Sequence, residues 1–239
     1  AKGLTLVEGV REIRQAVAAD LRVSAVYFCR EGVYQCPEDF LNELEAKRLK
    51  IFETNCIVFD KMAYGDRKEG ILALVEPKEP KLEELKLSQK SLVVVLEKVE
   101  KPGNLGAVLR TCDGAGVDAL IVTDALTDIH NPNVIRASLG AVFSVPTVSC
   151  TNEEALTFLK AKGIRTMAAV VQADGFYSER DLTVATAFVF GSEQEGLSPF
   201  WMKNADEKVR IPMKGKLDSL NVSVSAAVMI YEAVRQRSK

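Results

Sequence analysis

Three polar segments of this sequence contain residues that could bind a ligand, and each of them follows an apolar run. The first, PGNLGAVLRT, contains Asn104 and Arg110; the second, GSEQEGLS, contains Glu193; the third, DSLNVS, contains Ser219 and Asn221. Amide, hydroxyl and carboxylate groups can orient a polar ligand, and arginine adds a permanent positive charge. Simpler interpretations stay open, because an arginine can be a solvated helix residue, a carboxylate a turn residue and an asparagine a helix cap.

The sequence offers little for histidine-, disulfide- or metal-dependent chemistry. Its one histidine, His130, lies beside Asn-Pro in a loop, and the chain has no GxSxG, HExxH or Walker A motif. The five cysteines are scattered without a CxxC pair, which argues against a disulfide framework and a zinc site. We therefore expect buried free thiols and no metal.

A G-x-G-x-x-A match at residues 114–119 resembles a dinucleotide-binding fingerprint but has the wrong context. Such a fingerprint follows a strand and opens a helix. Here a helical pattern precedes the glycines and DALIVT, a strand pattern, follows them. We expect the glycines to end the helix.

The elements that must position the polar segments alternate between strand and helix. Candidate strands are SLVVVLE, DALIVT, FSVPTVS, IRTMAAVV, TAFVFGS and EKVRIPM. Continuously apolar runs such as LVVVL are typical of strands covered on both faces, so the order predicts an α/β fold with a parallel sheet. Ligands of such sheets bind at the carboxyl ends of the strands.

Helical periodicity predicts one helix in the first polar segment and another after the third. In the first segment Asn104 is expected to cap a helix whose buried face contains Leu105, Val108, Leu109 and Cys112, with Arg110 off that face. The final helix is expected to bury a stripe formed by Val224, Ala227, Val228 and Tyr231.

A separate small α/β domain is predicted before residue 78. Apolar residues at helical spacing (Val7, Val10, Ile13, Val17) indicate a first helix. SAVYFC and GILALVE indicate strands, and PEDFLNELEAKRL indicates a helix that begins at Pro37. Charged and proline-rich residues at 75–91 indicate a linker. We predict domains at 1–77 and 91–239, joined by residues 78–90.

Composition favours an ordinary globular protein. The 239 residues contain no apolar run of the roughly 20 residues that span a membrane, and the N-terminus is unlike a signal peptide, so we expect a cytoplasmic protein. The net charge of -2 gives no general attraction to nucleic acid. Glutamates are interleaved with the early arginines, which favours a solvated surface there.

Together the three segments resemble those of the SpoU class of RNA 2'-O-ribose methyltransferases, in the SPOUT superfamily. PGNLGAVLRT is similar to the first motif of that family, FGSEQEGLS to the second and IPMKG…SLNVSVSAAVMIYE to the third. NPNVIRASLGAVFSVP resembles the segment between the first two motifs. LVEGVREIRQAV and GILALVE resemble the family's ribosomal-protein-like substrate-binding domain.

The resemblance implies a C-terminal trefoil knot, a homodimer, S-adenosylmethionine as cofactor and structured RNA as substrate. The catalytic residues that it implies are Arg110, Asn104, Glu193, Ser219 and Asn221. The cofactor-binding residues that it implies are Gly191, Ile211, Met213 and Leu220. Arg136 and Lys214, which lie near the motifs in sequence, are the candidates for phosphate contacts.

The substrate implied is ribosomal RNA of the large subunit, because the N-terminal domain resembles that of rRNA-modifying members. A transfer RNA substrate is one alternative. A non-catalytic RNA-binding or ribosome-assembly factor is another, although all five catalytic candidates are present.

Overall fold

The computed structural model describes residues 3–64 and 69–238 and contains two sheets. The first belongs to the N-terminal part, where the elements are β1 (Thr5–Glu8), α1 (Val10–Ala18), β2 (Arg22–Phe28), α2 (Glu38–Ala46), β3 (Ile51–Glu53), α3 (Cys56–Met62) and β4 (Ile71–Glu76). The strand order is β1-β4-β2-β3, in which β4 runs antiparallel to both β1 and β2. The predicted strands in SAVYFC and GILALVE and the helix after Pro37 are therefore confirmed.

The first predicted helix was partly wrong. Val7 lies in strand β1, and the helix begins only at Val10. Gly9 separates the two elements with φ of 106°, a conformation that glycine adopts far more readily than other residues. Periodicity alone could not place this break, and β3 and α3 were not predicted at all.

The second sheet has seven strands, all parallel, in the order β7-β6-β5-β10-β8-β11-β9. Its strands are β5 (Leu92–Glu97), β6 (Ala119–Thr123), β7 (Thr147–Cys150), β8 (Arg165–Ala169), β9 (Gly175–Phe176), β10 (Thr186–Phe190) and β11 (Glu207–Arg210). Its helices are α4 (Pro102–Ala115), α5 (Pro132–Ala137), α6 (Asn152–Ala161), α7 (Pro199–Asn204) and α8 (Val222–Arg237). This confirms the predicted parallel α/β fold; β9 was missed.

Helix α4 begins earlier than predicted. Its N-cap is Lys101 with Pro102 at the first helical position, so Asn104 lies within the first turn and is not the cap. Proline favours that first position because its fixed φ suits a helix and the missing N–H needs no partner there. The helix ends at Gly116, whose backbone is left-handed (φ 65°, ψ 41°), as expected for the glycines of the false dinucleotide fingerprint.

Helices α4 and α5 pack closely because residue 106 is glycine. A Cβ at Gly106 would lie 2.4 Å from the Cβ of Ala137 and 2.9 Å from the main chain of Ser138 and Val134. The predicted buried face of α4 is confirmed, since Leu105, Val108, Leu109 and Cys112 are fully buried. The α4–α5 contact fixes the helix that carries Asn104 and Arg110.

The buried face predicted for α8 was wrong. Its buried residues are Val222, Ala226, Met229, Ile230 and Ala233. Val224 and Tyr231, predicted inside, are 46% and 51% exposed. The helix contacts α4 and β10 along a different face, and its partly apolar outer face lies on the surface.

The end of α8 is fastened to the sheet by Arg237. Its guanidinium donates hydrogen bonds to the main-chain oxygens of Leu182 (2.8 Å), Lys90 (2.7 Å) and Val184 (2.7 Å). Lys90 and Val184 precede the neighbouring strands β5 and β10. One side chain therefore ties the final helix to the starts of two central strands.

The N-terminal part packs against α5 and against the loops on either side of that helix. The Thr5 hydroxyl donates to the main-chain oxygen of His130 at 2.7 Å. Gly140 lies against α1, where a Cβ would be 2.9 Å from the Cβ of Gln15. The linker contains one short 3-10 helix, Leu82–Glu84. Among the helices of the described ranges, none is long and apolar enough to cross a membrane.

Candidate active site

The second and third polar segments line one cavity of about 400 Å³. The cavity lies where β8, β10 and β11 end, which is the edge at which parallel sheets bind ligands. Six of the predicted site residues line it, namely Gly191, Glu193, Ile211, Met213, Ser219 and Leu220. Residues separated by up to 29 positions in sequence thus share one wall.

A chain of side-chain hydrogen bonds joins all three segments. The Asn104 amide nitrogen donates to a carboxylate oxygen of Glu193. The Asn221 amide nitrogen donates to the Asn104 amide oxygen at 3.2 Å. Since each amide acts as donor and acceptor, the first turn of α4 is linked both to the loop after β10 and to the start of α8.

Asn221 also caps helix α8. Its amide oxygen accepts hydrogen bonds from the main-chain nitrogen of Ser223 at 2.9 Å and from the Ser223 hydroxyl at 2.7 Å. The Asn221 amide oxygen therefore caps α8, while the amide nitrogen of the same side chain belongs to the network described above. Ser219 contributes differently: it is exposed in the cavity wall, and its hydroxyl donates to Asp218 at 3.1 Å.

The second carboxylate oxygen of Glu193, Oε2, is buried and has no hydrogen-bond partner. Burial of a carboxylate oxygen without a donor is costly, so such atoms usually receive a hydrogen bond from a ligand or solvent. The geometry makes Glu193 an acceptor for a donor group brought to the site.

Gly191 allows the loop after β10 to close on itself. A Cβ there would lie 2.1 Å from the carbonyl carbon of Gly196 and 2.3 Å from the nitrogen of Leu197. The closed loop is held by two main-chain hydrogen bonds between Ser192 and Gly196, each of 3.1 Å. Only glycine fits at 191 without displacing the loop that carries Glu193.

The cationic candidates lie outside the network. Arg110 is exposed, and it forms no hydrogen bond or ion pair with any residue of 3–64 or 69–238. Six residues of helix separate it from Asn104, which places the two about 120° apart around α4. Arg136 and Lys214 are likewise exposed and unpaired within the described part of the chain. The positively charged groups of these three side chains are therefore available to bind an anion from outside the protein.

The sequence reasoning missed a buried polar cluster beneath the cavity. Glu97, at the end of β5, is fully buried. One of its oxygens accepts from the Asn152 amide (2.6 Å), and the other accepts from the main-chain nitrogen of Ser198 (2.7 Å). The Trp201 indole donates to the same Asn152 at 2.5 Å. A carboxylate at the end of a continuously apolar strand was the signal that could have revealed it.

This cluster fixes the far end of the loop after β10. Ser198 follows that loop and is the N-cap of α7, so its bond to Glu97 holds the loop at the point where it re-enters regular structure. Gly191 therefore closes one end of the loop and Glu97 holds the other.

His130 and the cysteines lie away from the cavity. His130 is buried, and this burial lowers its pKa, although Asp128 and Glu79 act in the opposite direction. Burial raises the pKa of Cys112 to about 12. No group of three or more potential metal ligands occurs among the residues that the structure describes.

Known families match both halves of the chain. The model of the SpoU rRNA Methylase family matches residues 91–231, more than half of the chain. The chain belongs to the SpoU methylase family. A second model, described as RNA 2'-O ribose methyltransferase substrate binding, matches residues 6–81.

Individual relatives of this SpoU methylase agree over most of its length. The 23S rRNA (guanosine-2'-O-)-methyltransferase RlmB of Escherichia coli (strain K12) is 34% identical over 204 residues, 83% of this chain and 84% of that protein. A solved RNA 2'-O ribose methyltransferase is 38% identical with a TM-score of 0.86, covering 100% of this chain and 90% of that one. The SpoU methyltransferase AviRb from Streptomyces viridochromogenes, solved with AdoMet, is 29% identical with a TM-score of 0.88, covering 99% and 91%.

Proposed function

We propose that this SpoU methylase transfers a methyl group from S-adenosylmethionine to a ribose 2'-hydroxyl of ribosomal RNA of the large subunit. One observation carries the proposal: the second and third family motifs line one cavity, and the Asn104–Glu193 and Asn104–Asn221 hydrogen bonds join the first motif to both of them. Relatives named as 23S rRNA methyltransferases, which match over more than four fifths of the chain, support the substrate.

The cavity suits S-adenosylmethionine in size and in lining. Its volume of about 400 Å³ lies within the range of small-molecule sites. Met213 and Leu220 are 37% and 39% exposed there, which offers apolar surface that an adenosyl group would cover. Gly191 and Ile211 complete the group that we propose holds it. The cofactor supplies a methyl group already activated on a sulfonium.

The protein's own task is to align the ribose and to stabilise the 2'-oxygen as its proton passes to solvent. We assign the second part to Arg110, because an arginine side chain carries a permanent positive charge and is therefore a poor base. It would bind the neighbouring phosphate and stabilise the developing alkoxide. Asn104, Glu193, Ser219 and Asn221 would orient the ribose through hydrogen bonds, for which the open Oε2 of Glu193 is suited.

We propose residues 1–77 as the RNA-binding domain, residues 78–90 as a linker and residues 91–239 as the methyltransferase domain. Arg136 and Lys214, which are exposed and near the motifs, would contact RNA phosphates. We place the activity in the cytoplasm, since the proposed substrate is ribosomal RNA.

A homodimer and a C-terminal knot are also proposed. The exposed apolar side chains of the last segment, Leu217 (76%), Val224 (46%) and Tyr231 (51%), form a surface that a second copy would cover. The same contact would enclose Arg110, which is exposed on the neighbouring helix.

For the knot, the support is that residues 211–237 return across α4 and β10 and are fastened by Arg237.

Substitution of Arg110 tests the mechanism. We expect Arg110→Ala to bind S-adenosylmethionine normally in calorimetry but to lose methyl transfer by at least about 100-fold, because a transition-state contact is removed. Arg235→Ala is the matched control, since Arg235 is an exposed helical arginine whose one ion-pair partner among the described residues is Glu232. Retained turnover in Arg110→Ala would refute the role of Arg110.

The substrate is tested separately. Incubation with methyl-labelled cofactor and total RNA should label large-subunit rRNA at one ribose, mapped by primer extension. Label confined to transfer RNA would replace the substrate but keep the chemistry. Absence of cofactor binding by the unmodified protein would instead favour a non-catalytic RNA-binding factor.

A further inference from the structure

A second and larger cavity, of about 980 Å³, lies at the outer edge of the seven-stranded sheet. It is formed by the linker around Leu82, the loop of residues 125–130, strand β7 and helix α6. None of the predicted catalytic, cofactor-binding or RNA-binding residues lines it. The proposed methyltransferase reaction therefore leaves this groove without a role.

The floor of this groove is the free edge of strand β7, which is the outermost strand of the sheet. In its pairing with β6, Leu120 donates to the oxygen of Pro146 (2.9 Å) and Asp124 donates to the oxygen of Cys150 (3.1 Å). Parallel pairing alternates along a strand, so the main-chain groups of Thr147 and Ser149 point away from β6. Those groups form no hydrogen bond with any described residue.

Apolar side chains flank this edge. Leu126, which is 63% exposed, and the half-buried Phe158 of α6 both line the groove. An unpaired strand edge near apolar side chains is the arrangement by which proteins bind extended peptides, since main-chain hydrogen bonds give affinity and alternate side chains enter pockets.

The rim of the groove is strongly acidic. Five carboxylates line it, against one lysine, Lys81; they are Glu79, Glu83, Asp128, Glu153 and Glu154. Glu79 and Glu153 are exposed and have no hydrogen-bond or ion-pair partner among the described residues. This charge repels RNA phosphates and attracts lysine and arginine.

We propose that this groove binds an extended, basic segment of another protein, which adds to the sheet as a strand beside β7. The main chain of the segment would pair with Thr147 and Ser149, its apolar side chains would contact Leu126 and Phe158, and its basic side chains would face the acidic rim. Such a contact would bring the enzyme to its RNA through a protein already bound there. This goes beyond the proposed reaction and uses none of its residues.

A synthetic peptide tests the proposal on the full chain. A fluorescein-labelled nine-residue peptide of alternating lysine and valine should bind with saturable anisotropy at low salt, and a glutamate–valine peptide should not. The Glu79→Lys/Glu153→Lys double variant should weaken binding by about tenfold, because two attractive contacts become repulsive. Glu45→Lys, an exposed reversal on α2, is the matched control and should bind as the unmodified protein does.

Hydrogen exchange identifies the site of binding. The peptide should slow exchange at the amides of Thr147 and Ser149, which have no hydrogen-bond partner among the described residues, more than at Val148 and Cys150, which pair with β6. Equal affinity for both peptides, or unchanged exchange at 147 and 149, would overturn the proposal. A uridine-rich RNA that displaces the peptide from these amides would also overturn it, as would protection of these amides on self-association without the peptide.

The proposal and the methyltransferase assignment can fail independently. The double variant should keep full methyl transfer on protein-free RNA, because its two residues lie outside the catalytic cavity. If the double variant loses peptide binding but keeps normal methyl transfer, the assignment as a methyltransferase stands. If the unmodified protein is inactive in methyl transfer, the peptide-binding result can still be interpreted.

Discussion

Replacing Gly191 with alanine should damage the active site while leaving most of the fold intact. The new Cβ would meet Gly196 at 2.1 Å, whereas ordinary van der Waals contact begins near 3.4 Å. The loop must therefore retreat by about 1.3 Å, which breaks the Ser192–Gly196 main-chain bonds and moves Glu193 away from Asn104.

The size of the effect follows from that displacement. Overpacking of this kind costs about 1–3 kcal/mol of stability, enough to measure but not to unfold a domain of this size. A displacement of roughly 1 Å in a positioned group can lower a rate by about 100-fold. We therefore expect methyl transfer to fall by about two orders of magnitude and cofactor affinity to fall as well.

Three measurements on one preparation check this prediction. Calorimetry gives the affinity for S-adenosylmethionine, tritiated methyl transfer gives the rate, and thermal denaturation gives the stability. Gly103→Ala is the matched control because a Cβ there meets nothing within 4 Å. If Gly191→Ala binds the cofactor and turns over within about twofold of the unmodified protein, the steric argument is wrong.

Two further substitutions test the supports of the site. Glu97→Gln removes one acceptor from a buried pair of hydrogen bonds. We therefore expect the free energy of unfolding in denaturant to fall by about 1–3 kcal/mol and the KM for the cofactor to rise. An unchanged KM would mean that Glu97 stabilises the fold without positioning the loop. Gly106→Ala puts a Cβ 2.4 Å from the Cβ of Ala137, so α4 and α5 should move apart and the free energy of unfolding should fall by a similar amount. An unchanged free energy of unfolding would show that the two helices can separate without loss of stability.

The strands, and the sheet edge at which the candidate site lies, could be predicted because both depend on local patterns. Continuously apolar runs identified the central strands, and polar residues after them identified the edge at which ligands bind. The first turn of α4 shows the limit: asparagine is a good N-cap, but Pro102 sets the start earlier and leaves Asn104 free to contact Glu193 and Asn221.

What could not be predicted depends on contacts between distant segments. The buried face of α8 is chosen by α4 and β10, so sequence periodicity pointed to the wrong side of a helix whose apolar residues are spread over more than one face. The role of Glu97 depends on Asn152 and Ser198, which lie 55 and 101 residues away in sequence. Short strands such as β3 and β9 carry too few residues for a period to be recognised.

The attachment of Arg237 has a consequence for the time at which the enzyme becomes competent during its synthesis. The chain emerges from its N-terminus, so the first sheet can fold while residues 211–237 have not yet been made. Those residues form one wall of the candidate active-site cavity and end in the arginine that ties α8 to β5 and β10. A growing chain can therefore acquire its substrate-binding part first, but it cannot acquire its chemistry until α8 has docked.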